Sequence, residues 1–344
     1  MRVVVTGGAG FIGSTFIRRW LAARPGDTMV ALDLLTYAGS RERLADVEGQ
    51  GAVRFLQGSV CDARLMREAL EGCDAAIHFA AETHVDRSIT DAAPFIRTNV
   101  EGTAVVLEAA RACGVLRVVH VSTDEVYGPV PEGAVDEHAP LAPRSPYAAS
   151  KAAADLLAQA HHATYGLPVV IVRPTNIFGP WQLPEKFVPL CITNCCDGLP
   201  VPIYGDGQQR RAWLFVQDAC DALRLLATEG RPGEIYNLAG GHEQANLDTA
   251  RQIAQALGAP PERLQHVADR PGHDRRYAMQ DGKLRGLGWR PATPFDAALA
   301  ETVGWYRAHE AWWRPLVARL REDPYHWLNR PAGPSARPSP VRVG

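Results

Sequence analysis

The first half of the chain alternates two hydrophobic patterns. Six short runs are β-branched or apolar almost without interruption: "RVVVTG" (2–7), "MVALDL" (29–34), "VRFLQG" (53–58), "AAIHFA" (75–80), "RVVHVS" (117–122) and "PVVIVR" (168–173). That is the pattern of strands covered on both faces. Between them, segments 11–23, 92–113 and 148–165 repeat their apolar positions at helical spacing. Strands alternating with helices predict an α/β fold with a doubly wound parallel sheet.

After about residue 174 the texture changes. Pro and Gly punctuate "LPVPIYGDG" and "DRPGHD", and helices are expected near 217–229, 246–257 and 294–308. The run "EIYNLA" (234–239) reads as a strand placed to rejoin the sheet. Residues 1–174 are therefore expected to form a Rossmann-like nucleotide-binding domain. Residues 175–330 should form mainly a smaller C-terminal substrate-binding lobe, with segments returning to the sheet. The tail 331–344, "PAGPSARPSPVRVG", has the composition of a disordered end.

Composition narrows the function classes. With 344 residues, 46% of them hydrophobic and 22% charged, the chain can bury a sizeable core. A net charge of -2 gives no general field for nucleic acid or an anionic membrane, so an anionic ligand must be held by local arginines. "MRVVVTG" runs directly into a strand with no signal-peptide pattern, and no stretch approaches the roughly 18 apolar residues of a membrane span. A cytoplasmic location is expected. The seven cysteines lack metal-ligand spacing and read as buried or free thiols, so no metal is expected.

The chemistry begins at "VVVTGGAGFIG". After a strand and before a helix, Gly7, Gly10 and Gly13 permit a tight turn, close approach of a diphosphate and close helix packing. The helix N-terminus then offers free N–H groups to the anion. Asp33 ends the second strand 20 residues beyond Gly13, where a carboxylate can accept hydrogen bonds from the adenosine ribose. A 2'-phosphate would meet a like charge there, which favours NAD over NADP.

"SPYAASK" places Tyr147 and Lys151 four apart on one helical face. An ammonium and an oxidised nicotinamide nearby would both favour the phenolate, making Tyr147 a base for an alcohol proton. Thr123 lies 24 residues before Tyr147 and can bind the same oxygen. Directly after it come Asp124 and Glu125. Once an alcohol is oxidised to a ketone, the neighbouring C–H is acidified. One carboxylate can then take that proton while the other protonates a leaving hydroxyl. The bland reading of the two acids is a solvated loop pair or a helix N-terminal cluster.

Taken together, "TGGAGFIGS", "LDLLTYAGS", "HFAAETHVDRSI", "TNVEGT", "VSTDEVYG", "SPYAASKAAAD", "GPWQLPEKFVPL", "YGDGQQRRAW" and "DRPGHDRRYA" resemble the extended short-chain dehydrogenase/reductases. Within them they resemble the dTDP-glucose 4,6-dehydratases, over residues 1 to about 315. The resemblance implies NAD contacts at Phe11, Ile12, Asp33, Leu34, Thr36, Ser59, Val60, Ala80, Ala81, Thr98, Tyr147 and Lys151. It implies that Asp124 protonates the departing C-6 hydroxyl, Glu125 removes the C-5 proton and Tyr147 accepts the C-4 hydroxyl proton. The product would be a 4-keto-6-deoxy sugar nucleotide. Around the nucleotide sugar it places Thr83, Thr123, Asn176, Lys186, Phe187, Pro202, Ile203, Tyr204, Arg211, Asn246, Arg270 and His273. Arg211 and Arg270 suit a diphosphate because guanidinium forks match its oxygens. The helices 92–113 and 148–165 resemble those of a homodimer interface in this superfamily.

Five positions depart from the family pattern. Ser59 stands where an Asp beside the adenine is common, Ile177 replaces an Asn, and Phe178 replaces a Tyr. Ala212 stands where an acid is usual, and Phe215 where His or Tyr is common. The alternatives are a nucleotide-sugar 4-epimerase or a uronic acid decarboxylase, which need the Tyr/Lys pair but not both acids. A non-catalytic NAD-binding sensor would need neither.

Overall fold

The computed structural model describes residues 1–49 and 51–322. The tail expected from Pro331 lies outside the described residues. The sheet-forming runs become β1 (Arg2–Thr6), β2 (Thr28–Asp33), β3 (Val53–Gln57), β4 (Ala75–His78), β5 (Arg117–Val121) and β6 (Val169–Pro174). With β7 (Asn176–Phe178), β8 (Val201–Tyr204), β9 (Arg210–Phe215), β10 (Ile235–Leu238), β11 (His242–Ala245) and β12 (Leu264–Val267), they make three sheets. The central one has seven strands in the order β10-β6-β5-β4-β1-β2-β3, and every neighbouring pair is parallel. The strand order reverses between β1 and β4, so the crevice at their carboxyl ends is the expected ligand position. Among the described residues no helix is long and apolar enough to cross a membrane.

The central strands have the uninterrupted apolar pattern because helices cover both faces. Val3 and Val5 face one core cluster, with the helix Phe11–Ala23, and Val4 faces the other, with Val106 and Leu107 of the helix Gly102–Ala112. β10 pairs with β6, from Ile235 opposite Ile171 to Leu238 opposite Pro174, so the chain returns to the sheet after entering the C-terminal part. That part also holds the three-stranded sheet β11-β9-β7 and the pair β12-β8.

The helix expected at 92–113 is not uniform. It widens into a π-helical turn over Ile96–Glu101 before Gly102–Ala112. Asn99 within that turn donates to Ser150 Oγ at 2.8 Å and to the Glu82 carbonyl at 3.0 Å, and accepts from Glu82 N at 2.8 Å. The wider turn thus ties the helix Pro146–Tyr165 to the loop after β4. Proline at its first position and Ser145, whose hydroxyl accepts from Ala148 N at 3.1 Å, start that helix.

Candidate active site

The glycine turn is too tight for side chains. A Cβ on Gly13 would sit 2.2 Å from the Gly7 carbonyl oxygen, and one on Gly7, at φ 69°, 2.8 Å from Ala80 N. The helix Phe11–Ala23 opens at Gly10 with no side-chain cap and no acid in its first turn, so its N-terminal N–H groups are available to an anion. Asp33 is buried and accepts from Ala9 N at 3.0 Å and Leu35 N at 2.8 Å. Its carboxylate therefore fixes the turn while keeping lone pairs for a ligand. Leu35 is held at φ 55°, a strained region for leucine, so the chain bends sharply at this edge.

All of the expected cofactor positions, from Gly7, Gly10, Phe11, Ile12 and Gly13 through Asp33, Leu34, Thr36, Ser59, Val60, Ala80, Ala81 and Thr98 to Tyr147 and Lys151, line one cleft. Its volume is about 330 Å³, and Thr83, Thr123, Asp124, Glu125, Asn176 and Lys186 line it too. The glycine turn, uncapped helix end and Asp33 fit a dinucleotide. Sequence reasoning missed Arg43. It is 1% exposed and donates to the carbonyls of Ala9, Ala38 and Trp181, which pins the loop after β2 against the turn. In "RERL" it carries no sign of burial, because its partners lie up to 138 residues away.

At the other end, β5 delivers its residues into a short 3₁₀ turn, Asp124–Tyr127, capped by Thr123, whose hydroxyl accepts from Glu125 N at 3.3 Å. The two acids are therefore neither a solvated loop pair nor the start of a long helix. Asp124 is 3% exposed, and burial together with the neighbouring Glu125 carboxylate pushes it up to about 7. Glu125 is raised as well, by burial, an effect that Arg270, Arg211 and Lys186 lessen without reversing. Two adjacent carboxyls thus sit in different fields, which suits one to act as acid and the other as base.

Tyr147 and Lys151 face the same cleft, as the four-residue spacing requires. Lys151 Nζ donates to the Val121 carbonyl at 2.7 Å, and burial pushes its ammonium down to about 8, opposed by Asp155. Tyr147 hydrogen-bonds Thr123. Its phenol, without a nicotinamide beside it, is raised by burial and then by the Glu125 carboxylate. Burial penalises both charged forms, so the ammonium alone does not prepare the base. Behind them, Asp155 accepts from Arg173 Nε at 2.9 Å, and Arg173 donates to Tyr127 at 2.7 Å, all within the core. This network holds the helix carrying Tyr147 and Lys151 to β6.

The remaining substrate positions lie outside the cleft lining, and of these Arg211 and Arg270 act on Glu125. Arg211 is 5% exposed, donates to the Asp274 carbonyl at 3.0 Å and lies 4.5 Å over the Tyr277 ring. Arg270 lies 3.9 Å from Asp86, and its buried Nε has no hydrogen-bond partner. The amide oxygens of Asn176 and Asn246 are likewise buried without partners. Tyr204 meets His273 edge-on at 5.8 Å, and Phe187 stacks on Trp213 at 6.2 Å. His273 bonds Asp269 at 2.6 Å, yet burial lowers it to about 4. Strand alternation turns the Ile203 side chain into the core with Val201, while Pro202 and Tyr204 are partly exposed.

Three of the five sequence departures lie away from the cleft. Phe178 and Phe215 meet at 5.9 Å within the core, so an apolar pair occupies positions that are more polar in the family pattern. Ala212 borders a separate cavity. Ile177 and Ser59 do line the cleft, and Ser59 Oγ accepts from Cys61 N at 3.1 Å in the turn after β3.

A dinucleotide cradle beside a Tyr/Lys pair defines an NAD-dependent class, and comparison agrees. The chain belongs to the NAD dependent epimerase/dehydratase family, whose profile it matches over residues 3–239. Within that family its relatives are narrower. It is 52% identical to a dTDP-glucose 4,6-dehydratase of Streptomyces niveus, over 92% of this chain and 96% of that protein. It is 48% identical to one of Streptomyces antibioticus, over 98% of each. The crystal structure of DesIV, a dTDP-glucose 4,6-dehydratase from Streptomyces venezuelae with NAD and TYD bound, superposes with a TM-score of 0.90 at 50% identity, covering 92% of this chain and all of that one.

Proposed function

We propose that this chain is a dTDP-glucose 4,6-dehydratase, a lyase that converts dTDP-glucose to dTDP-4-keto-6-deoxyglucose and water. The observation that carries this reading is the joint presence of Asp124 and Glu125 in the cleft that holds Tyr147 and Lys151. An epimerase or decarboxylase has no need of both acids, and a sensor has no need of the Tyr/Lys pair.

Gly7, Gly10 and Gly13 with the N-termini of Phe11, Ile12 and Gly13 would hold the NAD diphosphate, and Asp33 its adenosine ribose. When bound, NAD supplies the two-electron chemistry, removing hydride from C-4 and returning it to C-6. Thr123 would hold the C-4 oxygen and Tyr147 would take its proton; an oxidised nicotinamide, when bound, would favour the phenolate against the burial that raises it. Glu125 then removes the acidified C-5 proton. Asp124, protonated to a useful degree near neutral pH, gives its proton to the C-6 hydroxyl as the C–O bond breaks. Arg211 and Arg270 would face the diphosphate of the nucleotide sugar, with Asn176, Lys186, Phe187, Asn246 and His273 around the sugar and base. The enzyme acts in the cytoplasm as a homodimer; Ile96, Leu156 and Tyr165, all more than half exposed, lie on the helical segments that would pair.

The test is turnover. Incubated with dTDP-glucose and NAD, the protein should release a nucleotide sugar lighter by one water that develops the alkali-induced absorbance of a 4-keto sugar. A product of unchanged mass would overturn the dehydratase reading.

A further inference from the structure

Arg43 holds the cofactor end of the cleft, and what holds Arg43 lies in the other half of the chain. Its Nη1 donates to the carbonyls of Ala9 at 3.0 Å and Ala38 at 2.6 Å, and its Nη2 to the carbonyl of Trp181 at 2.9 Å. Each of the first two contacts fixes a part of the cradle. Ala9 precedes Gly10, so anchoring its carbonyl fixes the planar peptide that leads into the helix Phe11–Ala23, and with it the direction of the free N–H groups of Phe11, Ile12 and Gly13. Ala38 lies in the loop after β2, which folds back onto Asp33: a Cβ on Gly39 would lie 2.7 Å from Asp33 Oδ1. One guanidinium therefore sets both the diphosphate end and the ribose end of the cradle. Its rigid fork lets a single side chain hold carbonyls of three separate segments.

The third contact leads away from the cofactor. Trp181 has a left-handed backbone, φ 69°, a conformation that a residue of its size adopts rarely and only where its surroundings enforce it. Here the side chain does so. Its indole packs 4.8 Å from Trp305 and 5.1 Å from Trp312, ring centre to ring centre. Trp312 also covers Arg43, whose guanidinium carbon lies 5.2 Å from its ring centre. Beside them the Tyr306 hydroxyl donates to the carbonyl of Gln182, the residue after Trp181. Trp305, Tyr306 and Trp312 belong to the helices Phe295–Ala308 and Glu310–Glu322, none of whose residues lines the cleft. The strained turn at Trp181 thus presents its carbonyl to Arg43, and the tryptophans seat both partners.

We propose that Arg43 is a positioning residue for the dinucleotide, and that the tryptophan cluster of the C-terminal helices sets NAD affinity through it. The contacts run from Trp305 and Trp312 to Trp181 and Arg43, and from Arg43 to Ala9 and Ala38. Arg43 acts through the backbone that it fixes, so the part of NAD that it governs is the adenosine diphosphate half, which ADP shares. Thymidine diphosphate, expected at Arg211 and Arg270, depends on neither carbonyl. The inference concerns the cofactor cradle and does not depend on the reaction carried out beside it.

Equilibrium binding of NAD, ADP and thymidine diphosphate to the full chain, freed of nucleotide, tests these contacts without turnover. Arg43→Met keeps the length of the side chain and removes its donors. It should weaken NAD and ADP by one common factor of roughly ten-fold or more, the scale of a lost hydrogen bond to a charged group, and leave thymidine diphosphate within about two-fold of the parent protein. Trp312→Leu leaves every cradle residue in place, yet should weaken NAD and ADP together by roughly three-fold or more, again without moving thymidine diphosphate. Arg43→Lys should fall between the parent protein and Arg43→Met, and takes the place of Arg43→Met if that variant does not fold. The proposal is overturned if the folded Arg43 variant binds NAD as the parent does, if NAD weakens and ADP does not, or if thymidine diphosphate weakens in step with NAD, the mark of a general loosening. Parental NAD binding in Trp312→Leu would overturn the part assigned to the tryptophans. Failure of the parent protein to bind thymidine diphosphate would instead count against the dehydratase reading, while the comparison of NAD with ADP still decides the role of Arg43.

Discussion

Glu125→Gln should oxidise its substrate and go no further. The amide keeps the size of the side chain but cannot accept a proton from C-5, so elimination loses its base. Removing a positioned general base costs on the order of 10²- to 10⁴-fold in rate. Sugar recovered from the quenched variant should carry a keto group at C-4 with its C-6 hydroxyl intact. Product formed by the parent protein in heavy water should carry deuterium at C-5, whereas the variant should introduce none there. The substitution acts on Glu125 alone because Tyr147 and Lys151 are held by other contacts, to Thr123 and to the Val121 carbonyl. Dehydration at the parent rate would assign the base to another residue.

Asp124→Asn should trade activity for stability. Without an acid at the C-6 hydroxyl, turnover should fall by a similar ~10²- to 10⁴-fold. The stability of the ligand-free protein should move the opposite way. Asp124 is raised in the folded state from 3.8 to about 7, so between those values the folded protein binds more protons than the unfolded one. Stability contributed by this group therefore falls as pH rises through that window and levels off above it. A difference of about three units corresponds to roughly 4 kcal/mol at pH 8. An asparagine pays no such ionisation cost. The variant should be the more stable protein at pH 8, with the advantage shrinking toward pH 4. Denaturant unfolding across that range measures it, and a pH-independent difference would show that Asp124 is not held in a strained charged state.

Legibility from sequence followed distance along the chain. The glycine turn, Asp33, the Thr123-Asp124-Glu125 run and the Tyr147/Lys151 pair are each set by local spacing, and all line one cleft because the parallel strands deliver their ends to one edge. The continuous apolar runs likewise marked the strands of the seven-stranded sheet. Groups whose role depends on distant partners were not visible. Arg43 and Asn99 lay unremarked in "RERL" and "TNVEGT", although Arg43 pins the loop after β2 and Asn99 links Glu82 to Ser150. The Asp155–Arg173 pair reads as ordinary helix and strand residues until the fold buries it. The upward push that burial gives the Tyr147 phenol was not visible either, because spacing conveys the nearby ammonium but not the depth of burial. Ile203 shows the same limit, since only the pairing of β8 with β12 tells which residues of that strand turn inward.

The central claim is that oxidation at C-4 and elimination across C-5 and C-6 occur within one cleft, so hydrogen taken from C-4 must reappear at C-6 of the same sugar. The most direct measurement supplies dTDP-glucose deuterated at C-4 and locates the label in the product by nuclear magnetic resonance and mass spectrometry. The expected product has lost one water and carries the deuterium at C-6. Deuterium still at C-4 in a product of unchanged mass would contradict the account and identify an epimerase built on the same residues.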